Sequence, residues 1–322
     1  MRLLPPCQPL TLSLELAKGS REALGRRCQV LLFYPVAARI ALCGGRDLGI
    51  NVRQWRLAIV CTLSLWAAGC ATVQTTAPGA VGIDRKQRML ISEEEVEKGA
   101  EQAYAQEVQQ AKTTGKLNTN AQLTTRVRRI AERLIPETKA FRPDAPAWKW
   151  EINTLQTDDM NAYAMPGGKI MVYSGLVDKL ELTDAELAAV IGHEISHALR
   201  EHTRERVSRA YAQQLALAGL AVFTGAGDAA MGVANQVASV TFQLPHSREQ
   251  ESEADIMGLE LMARAGYDPH AAVSVWQKMM AAEKSAPPQF LSTHPSPGNR
   301  IEELQARIPK VLPLYQAAIK KA

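Results

Sequence analysis

The feature that most constrains this chain is His193-Glu194-Ile195-Ser196-His197, set directly after the apolar stretch Leu187-Ala188-Ala189-Val190-Ile191-Gly192. Thr183-Asp184-Ala185-Glu186 is a capping box, and it predicts a helix that runs from there past His197. Residues four apart on a helix share one face, so both imidazoles can reach one ion. Glu194 lies beside that face, where a carboxylate can touch a metal-bound water without ligating the metal. The apolar run predicts that this helix is buried. Two imidazoles and a carboxylate buried without a metal or other partners are costly, so the fold must bring something to them.

A zinc site that hydrolyses needs a third protein ligand and an open position. His202, His246, His270 and His294 are candidates, as are the acids of Glu249-Gln250-Glu251-Ser252-Glu253-Ala254-Asp255. Glu251 and Asp255 are four apart on a predicted helix. One can ligate while the other, a turn away, holds a ligating imidazole by its second nitrogen. Spacing alone does not choose among these acids.

Helices dominate the rest, at about 92–112, 120–135, 247–265, 268–283 and 299–308, with two more at 209–242 joined near Gly225. Strands are expected at Trp148–Leu155 and Lys169–Tyr173. That mixture is an α+β class with a small β-sheet. The longest clean apolar run in 209–242, Leu215 to Thr224, is too short to span a bilayer. A helical hairpin over the active-site helix is the expectation there, with a membrane- or partner-facing lid as the alternative.

The first 70 residues differ in kind. All five cysteines lie there, so neither a disulfide nor a cysteine-based metal site is expected after Cys70. Nine of the 37 Lys/Arg and three of the 33 Asp/Glu also lie there, which leaves the remainder at a net −2 and argues against a nucleic-acid surface. Arg53-Gln54-Trp55-Arg56 precedes a 12-residue apolar run, Leu57–Ala68, and then Gly69-Cys70. This is the pattern of a secretory signal. Its end resembles a bacterial lipobox with Cys70 as the lipidated residue, and Ala71 after the cysteine favours sorting to the outer membrane. Residues 1–52 then read as a mis-called start or a disordered extension, 53–70 as the signal, 71–89 as a small, polar tether and 90–322 as one domain.

His193–His197 and Arg248–Asp255 resemble the zinc metallopeptidases of the HtpX/BepA/LoiP type, related to the CAAX prenyl proteases and the mitochondrial Oma protease. Asn161–Ile170, Thr293-His294-Pro295 and Arg300 agree with it. The resemblance covers about residues 90–308. It departs from the BepA-like members in having 22 residues after Arg300 in place of a helical-repeat domain, and from the HtpX and CAAX members in lacking multiple membrane spans.

The resemblance implies a mainly helical, zincin-like (gluzincin) domain holding one Zn²⁺ through His193, His197 and Glu251. Asp255 stands behind the ligands, and Glu194 is the general base for a zinc-bound water. It implies that the strand Gly168-Lys169-Ile170-Met171-Val172 presents a free edge to an extended substrate. His294 is expected near the site, as a gate in the open zinc position, as a transition-state residue or merely packed. Arg300 is expected to pair with an acid near the site. His202 is expected to point elsewhere, and His246 has no expected partner.

The implied activity is a metalloendopeptidase in quality control of the bacterial envelope, on the periplasmic side of the outer membrane. Its partners would be unfolded or misassembled proteins, the membrane through a lipid anchor, and outer-membrane assembly machinery. A chaperone or assembly factor with a mostly closed metal site is the first alternative, and a structural zinc domain the second.

Overall fold

Side-chain caps set the helix starts. Ser92 Oγ accepts from the Glu95 N–H and the Glu95 carboxylate accepts from the Ser92 N–H, each at 3.2 Å, which opens α1 (Glu93–Thr113). Asn120 caps α2 (Ala121–Leu134). Thr183 and Glu186 form the anticipated box at the head of α4 (Asp184–Leu199), which follows the short α3 (Ser174–Lys179). The structure, a computed structural model, describes residues 71–224, 232–283, 289–295 and 298–321. The expected signal, the lipidation at Cys70, the alternative start and the turn near Gly225 lie outside the described residues.

The main sheet has the order β3-β5-β4, with β3 (Glu151–Leu155) parallel and β4 (Ala162–Met165) antiparallel to β5 (Lys169–Tyr173). This corrects the expectation that Gly168 to Val172 offers a free edge. Gly167 and Gly168, at φ +75° and +79°, fold β5 back on β4, so that Met165 faces Lys169. Both sides of β5 are thereby paired, and Ile170, Met171 and Val172 are fully buried. An unbroken apolar run is the signature of a central strand, not of an edge. The edges are β3 and β4, and β4 is a strand the sequence reading did not separate from the motif around it.

The helix α4 lies at the centre of the core, with Leu187, Ile191 and Ile195 fully buried. Against it pack α7 (Arg248–Arg264) and α8 (His270–Glu283). The helices α5 (His202–Thr224) and α6 (Val233–Phe242) are those expected in 209–242, but α6 lies mainly along α1. Val207, Val237 and Val240 share a second core there with Val96, Ala100 and Tyr104. No helix among the described residues is long and apolar enough to cross a membrane.

A short α9 (Gln289–Thr293) precedes α10 (Arg300–Ile319), which runs well beyond the expected end at Ile308. It continues through Pro309 and Pro313. The prolines are four positions apart, so the helical bonds they omit are those to the carbonyls of Gln305 and Pro309, in two successive turns. Burial of Ile308 and Val311 against the core compensates.

Residues 71–89 are not a tether. β1 (Ala71–Val73) pairs antiparallel with β2 (Gln87–Met89), and Val81 is buried with its N–H donating to Glu260 Oε2 at 3.0 Å. Gln87 donates to the Arg200 carbonyl at 2.6 Å. Arg85 forks onto Glu205 at 2.7 and 2.9 Å and onto Glu253 at 2.8 and 2.9 Å. A small, polar sequence reads as linker only until its polar groups meet buried partners of opposite charge.

This strap makes the domain acid-sensitive. Burial alone would raise Glu205, but hydrogen bonds from Arg85, Gln250 and Gln87 outweigh it and hold the carboxyl at about 2. A carboxylate held below its unfolded value stabilises the fold above that value and loses the contribution as pH falls towards the folded one. Glu205 therefore contributes about 3 kcal/mol at neutral pH, lost between about pH 5 and pH 2. In denaturant titrations across that range, Glu205→Gln should lower stability at pH 7 and flatten the acid limb; an unchanged slope would remove Glu205 as its source.

Candidate metal centre

The site is built where α4 and α7 touch backbone to backbone. A Cβ on Gly258 would lie 2.8 Å from the His193 nitrogen, and one on Gly192 would lie 3.1 Å from the Gly258 carbonyl oxygen. Only glycine allows that approach. Asp255 and Glu251, three and seven residues before Gly258, share its face of α7 and are carried onto His193 and His197.

Four donors converge. His193 Nε2 and His197 Nε2 are 3.0 Å apart. Glu251 places its carboxylate 3.5 Å from His193 Nε2 and 3.3 Å from His197 Nε2. His294 Nδ1 is 3.0 Å from Glu251 Oε1 and 3.3 Å from His193 Nε2. A tetrahedral ion with ligand bonds of about 2.0–2.1 Å separates its ligands by about 3.3 Å. The four groups therefore fit one divalent ion, and all are buried. Burial pushes the His193 and His197 imidazoles well below their usual range, towards the neutral form that a ligand needs. Burial opposes the charge on Glu251, but His294 and His197 outweigh it and keep the carboxyl well below its ordinary value.

Around the donors stands a second layer. Asp255 Oδ1 lies 2.9 Å from His193 Nδ1, which leaves Nε2 to face the ion position. Arg300 donates to Asp255 Oδ2 and to Glu251 Oε2, each at 2.5 Å, and its guanidinium lies 3.6 Å from the centre of the Trp276 ring. It pairs with two acids, where one was expected.

Glu194 is buried beside the donors. Its Oε2 accepts the Ala164 N–H at 3.1 Å, and its Oε1 has no hydrogen-bond partner among the described residues. Burial, only partly offset by His294, pushes its carboxyl up to about 7. At that value it can both take and return a proton near neutral pH. The Ala164 N–H also orients β4. Tyr173 donates to Asn161 in the ladder with β5, so alternation turns the polar groups of Ala162 and Ala164 away from β5, where their N–H groups meet Asn161 Oδ1 and Glu194 Oε2.

Two residues of the centre escaped the sequence reading. His202 does not continue the helix of His197. That helix ends at Leu199, and Glu201 at φ +51° starts a new one that turns His202 back, with Nδ1 2.7 Å from His197 Nδ1. His246 lies with its ring centre 4.0 Å from that of His197 and 4.9 Å from that of His294, and accepts from Arg206. No spacing rule signals either contact. His270 is an exposed residue bonded to Asp268, Glu249 is exposed, and Glu253 joins Arg85 and Arg200, so none of these three is a donor.

The donor groups are buried: His193, Glu194, His197, Glu251 and His294 are each 3% exposed or less. A cavity of about 10 Å³, room for one water, lies behind His193, lined by Asp255, Trp276 and Phe290.

Two imidazoles a helical turn apart, a carboxylate from a crossing helix and a poised glutamate are the arrangement of a metallopeptidase. Residues 121–308, more than half of the chain, match the family model of peptidase family M48, and the chain belongs to that family. Among its relatives are the mitochondrial metalloendopeptidase OMA1 of Saccharomyces cerevisiae, 35% identical over 52% of this chain and 50% of that protein, and OMA1 of Homo sapiens, 30% identical over 52% and 34%. The beta-barrel assembly-enhancing protease of Escherichia coli is 30% identical over 50% of this chain and 34% of that protein. The chain thus spans half or less of the length of these relatives.

If the four donors hold an ion, Glu251→Ala should strip it. Elemental analysis of the purified chain should fall from about one metal per chain to background in this variant. Full retention would place the third ligand elsewhere.

Proposed function

We propose that the protein is a zinc-dependent endopeptidase of the bacterial envelope that degrades misfolded or misassembled proteins, with His193, His197 and Glu251 as zinc ligands. The observation that carries this reading is the convergence of those three donors, from two helices distant in sequence, beside a glutamate with one oxygen that makes no hydrogen bond and lies 3.5 Å from His294 Nε2. Zinc suits two neutral imidazoles and one carboxylate, and when bound it supplies a Lewis acid and a nucleophile at neutral pH.

Asp255 fixes the His193 tautomer. Glu194 takes the proton of the attacking water and returns one to the leaving amine, a role that suits its raised carboxyl. The outer side of β4, in place of the β5 edge, pairs with an extended substrate, for which the Ala164 N–H must leave the Glu194 carboxylate it now meets. Envelope placement rests on the basic and apolar stretch ending at Cys70 and accords with the name of the Escherichia coli relative.

One observation favours a second reading, a chaperone or assembly factor whose metal site stays mostly shut. His294 sits in the donor set itself, and all four donors are buried. In the first reading His294 is a gate that leaves when substrate arrives.

Two substitutions separate these roles. Glu194→Gln should keep about one zinc per chain and lower cleavage of an unfolded protein about 100-fold or more. Retained cleavage would remove Glu194 as the base, and a biological role that survives the loss would favour the chaperone. His294→Ala should raise cleavage several-fold if the residue gates; a fall would make it a transition-state residue.

A further inference from the structure

The imidazole of His193 is held from behind by a carboxylate, but that of His197 is not. Behind His197 lies His202, fully buried, with the two Nδ1 atoms 2.7 Å apart. Two ring nitrogens that close must share one proton, because two lone pairs or two N–H groups would repel. At 2.7 Å the contact is a hydrogen bond between the two rings, whatever else the cluster of His197, His202 and His246 could hold.

The protons can be placed from the outside inwards. His202 Nε2 is 2.9 Å from Glu253 Oε2. A buried carboxylate that receives Arg85 at 2.8 and 2.9 Å and Arg200 at 3.0 and 3.3 Å is an acceptor. His202 therefore carries its proton on Nε2 and offers a lone pair at Nδ1. His197 must donate to that lone pair from its own Nδ1, and its Nε2 is then left bare, facing Glu251 and His193.

We propose that His202 and Glu253 form a relay that sets the tautomer and ring orientation of His197, and that the segment 71–89 anchors its outer end through Arg85. His202 is a positioning residue for the metal centre, reaching it through His197. The relay differs in kind from the contact of Asp255 with His193, because a neutral imidazole stands between carboxylate and ligand. That spacer lets a charge on α7, two residues from Glu251, act on the far side of α4. It also joins the N-terminal strap to the donor set, since Arg85 bridges Glu253 and Glu205 in one fork. The proposal rests on the reading of His197 as a metal ligand.

Zinc affinity of the full chain, read by competition with a chromophoric chelator, tests it. His202→Phe keeps a ring of similar size without hydrogen bonds and should weaken zinc binding about 10–100-fold, the usual cost of removing a partner behind a ligand. It should also shift the visible bands of the Co²⁺-substituted protein. His202→Asn, whose amide oxygen can stand where Nδ1 stood, should recover part of the loss. An unchanged affinity in His202→Phe overturns the relay alone, provided that His197→Ala loses zinc. Wild-type affinity in His197→Ala overturns both the ligand reading and the relay. Long-range ¹H–¹⁵N spectra of the zinc-loaded wild-type chain need no variant to fold. His202 protonated on Nε2 supports the relay, and protonation on Nδ1 overturns it.

Discussion

The structure depends on one contact, the glycine-to-glycine crossing of α4 and α7. With side chains at Gly192 and Gly258 the helix axes would separate, and Glu251 would no longer reach the rings of His193 and His197. Helices usually pack with side chains interdigitated, about 8–10 Å between axes. Here the backbones meet directly, and the space normally filled by apolar side chains is given to polar ones on either side of the crossing. A metal centre inside a helical core needs such a local exchange of packing for chemistry.

That exchange explains the dense polar network around the site. Many of the buried charges meet an opposite: Arg300 between Glu251 and Asp255, Arg200 and Arg85 around Glu253, Arg85 again on Glu205. Unpaired, any of these groups would cost several kcal/mol. The pairs also join elements distant in sequence, from the strap at 71–89 to α10 at Arg300. His294 and His246 lie over the donors, joined by the His246 N–H on the Thr293 carbonyl.

Legibility followed the range of each signal. The capping boxes at Ser92 and Thr183 and the four-residue spacing of the two histidines are local, and they describe α1 and α4 well. The role of Glu251 came through resemblance, because a run of acids on a helix has no periodicity that separates ligand from surface. β5 was read as a strand but placed at the wrong position in the sheet. Strand composition reports burial, and pairing partners follow only from the turn at Gly167 and Gly168. His202 was lost for a similar reason. Extending the helix of His197 points that ring away, and only the positive φ of Glu201 turns it back. The segment 71–89 was misread because its threonines and glutamine are as common in linkers as in buried networks.

The sequence by itself determined the chemistry available: two imidazoles on one helical face, a glutamate beside them, a second helix rich in acids, and an apolar frame able to bury them all. Those facts are set within a few turns of chain, where spacing and capping act. The tertiary structure alone decided which acid meets the rings, which strand lies at the centre of the sheet, and that His294, His202 and His246 crowd the same few ångströms. Such choices depend on how closely two backbones pass and where the chain reverses, and neither is encoded in any single stretch of residues.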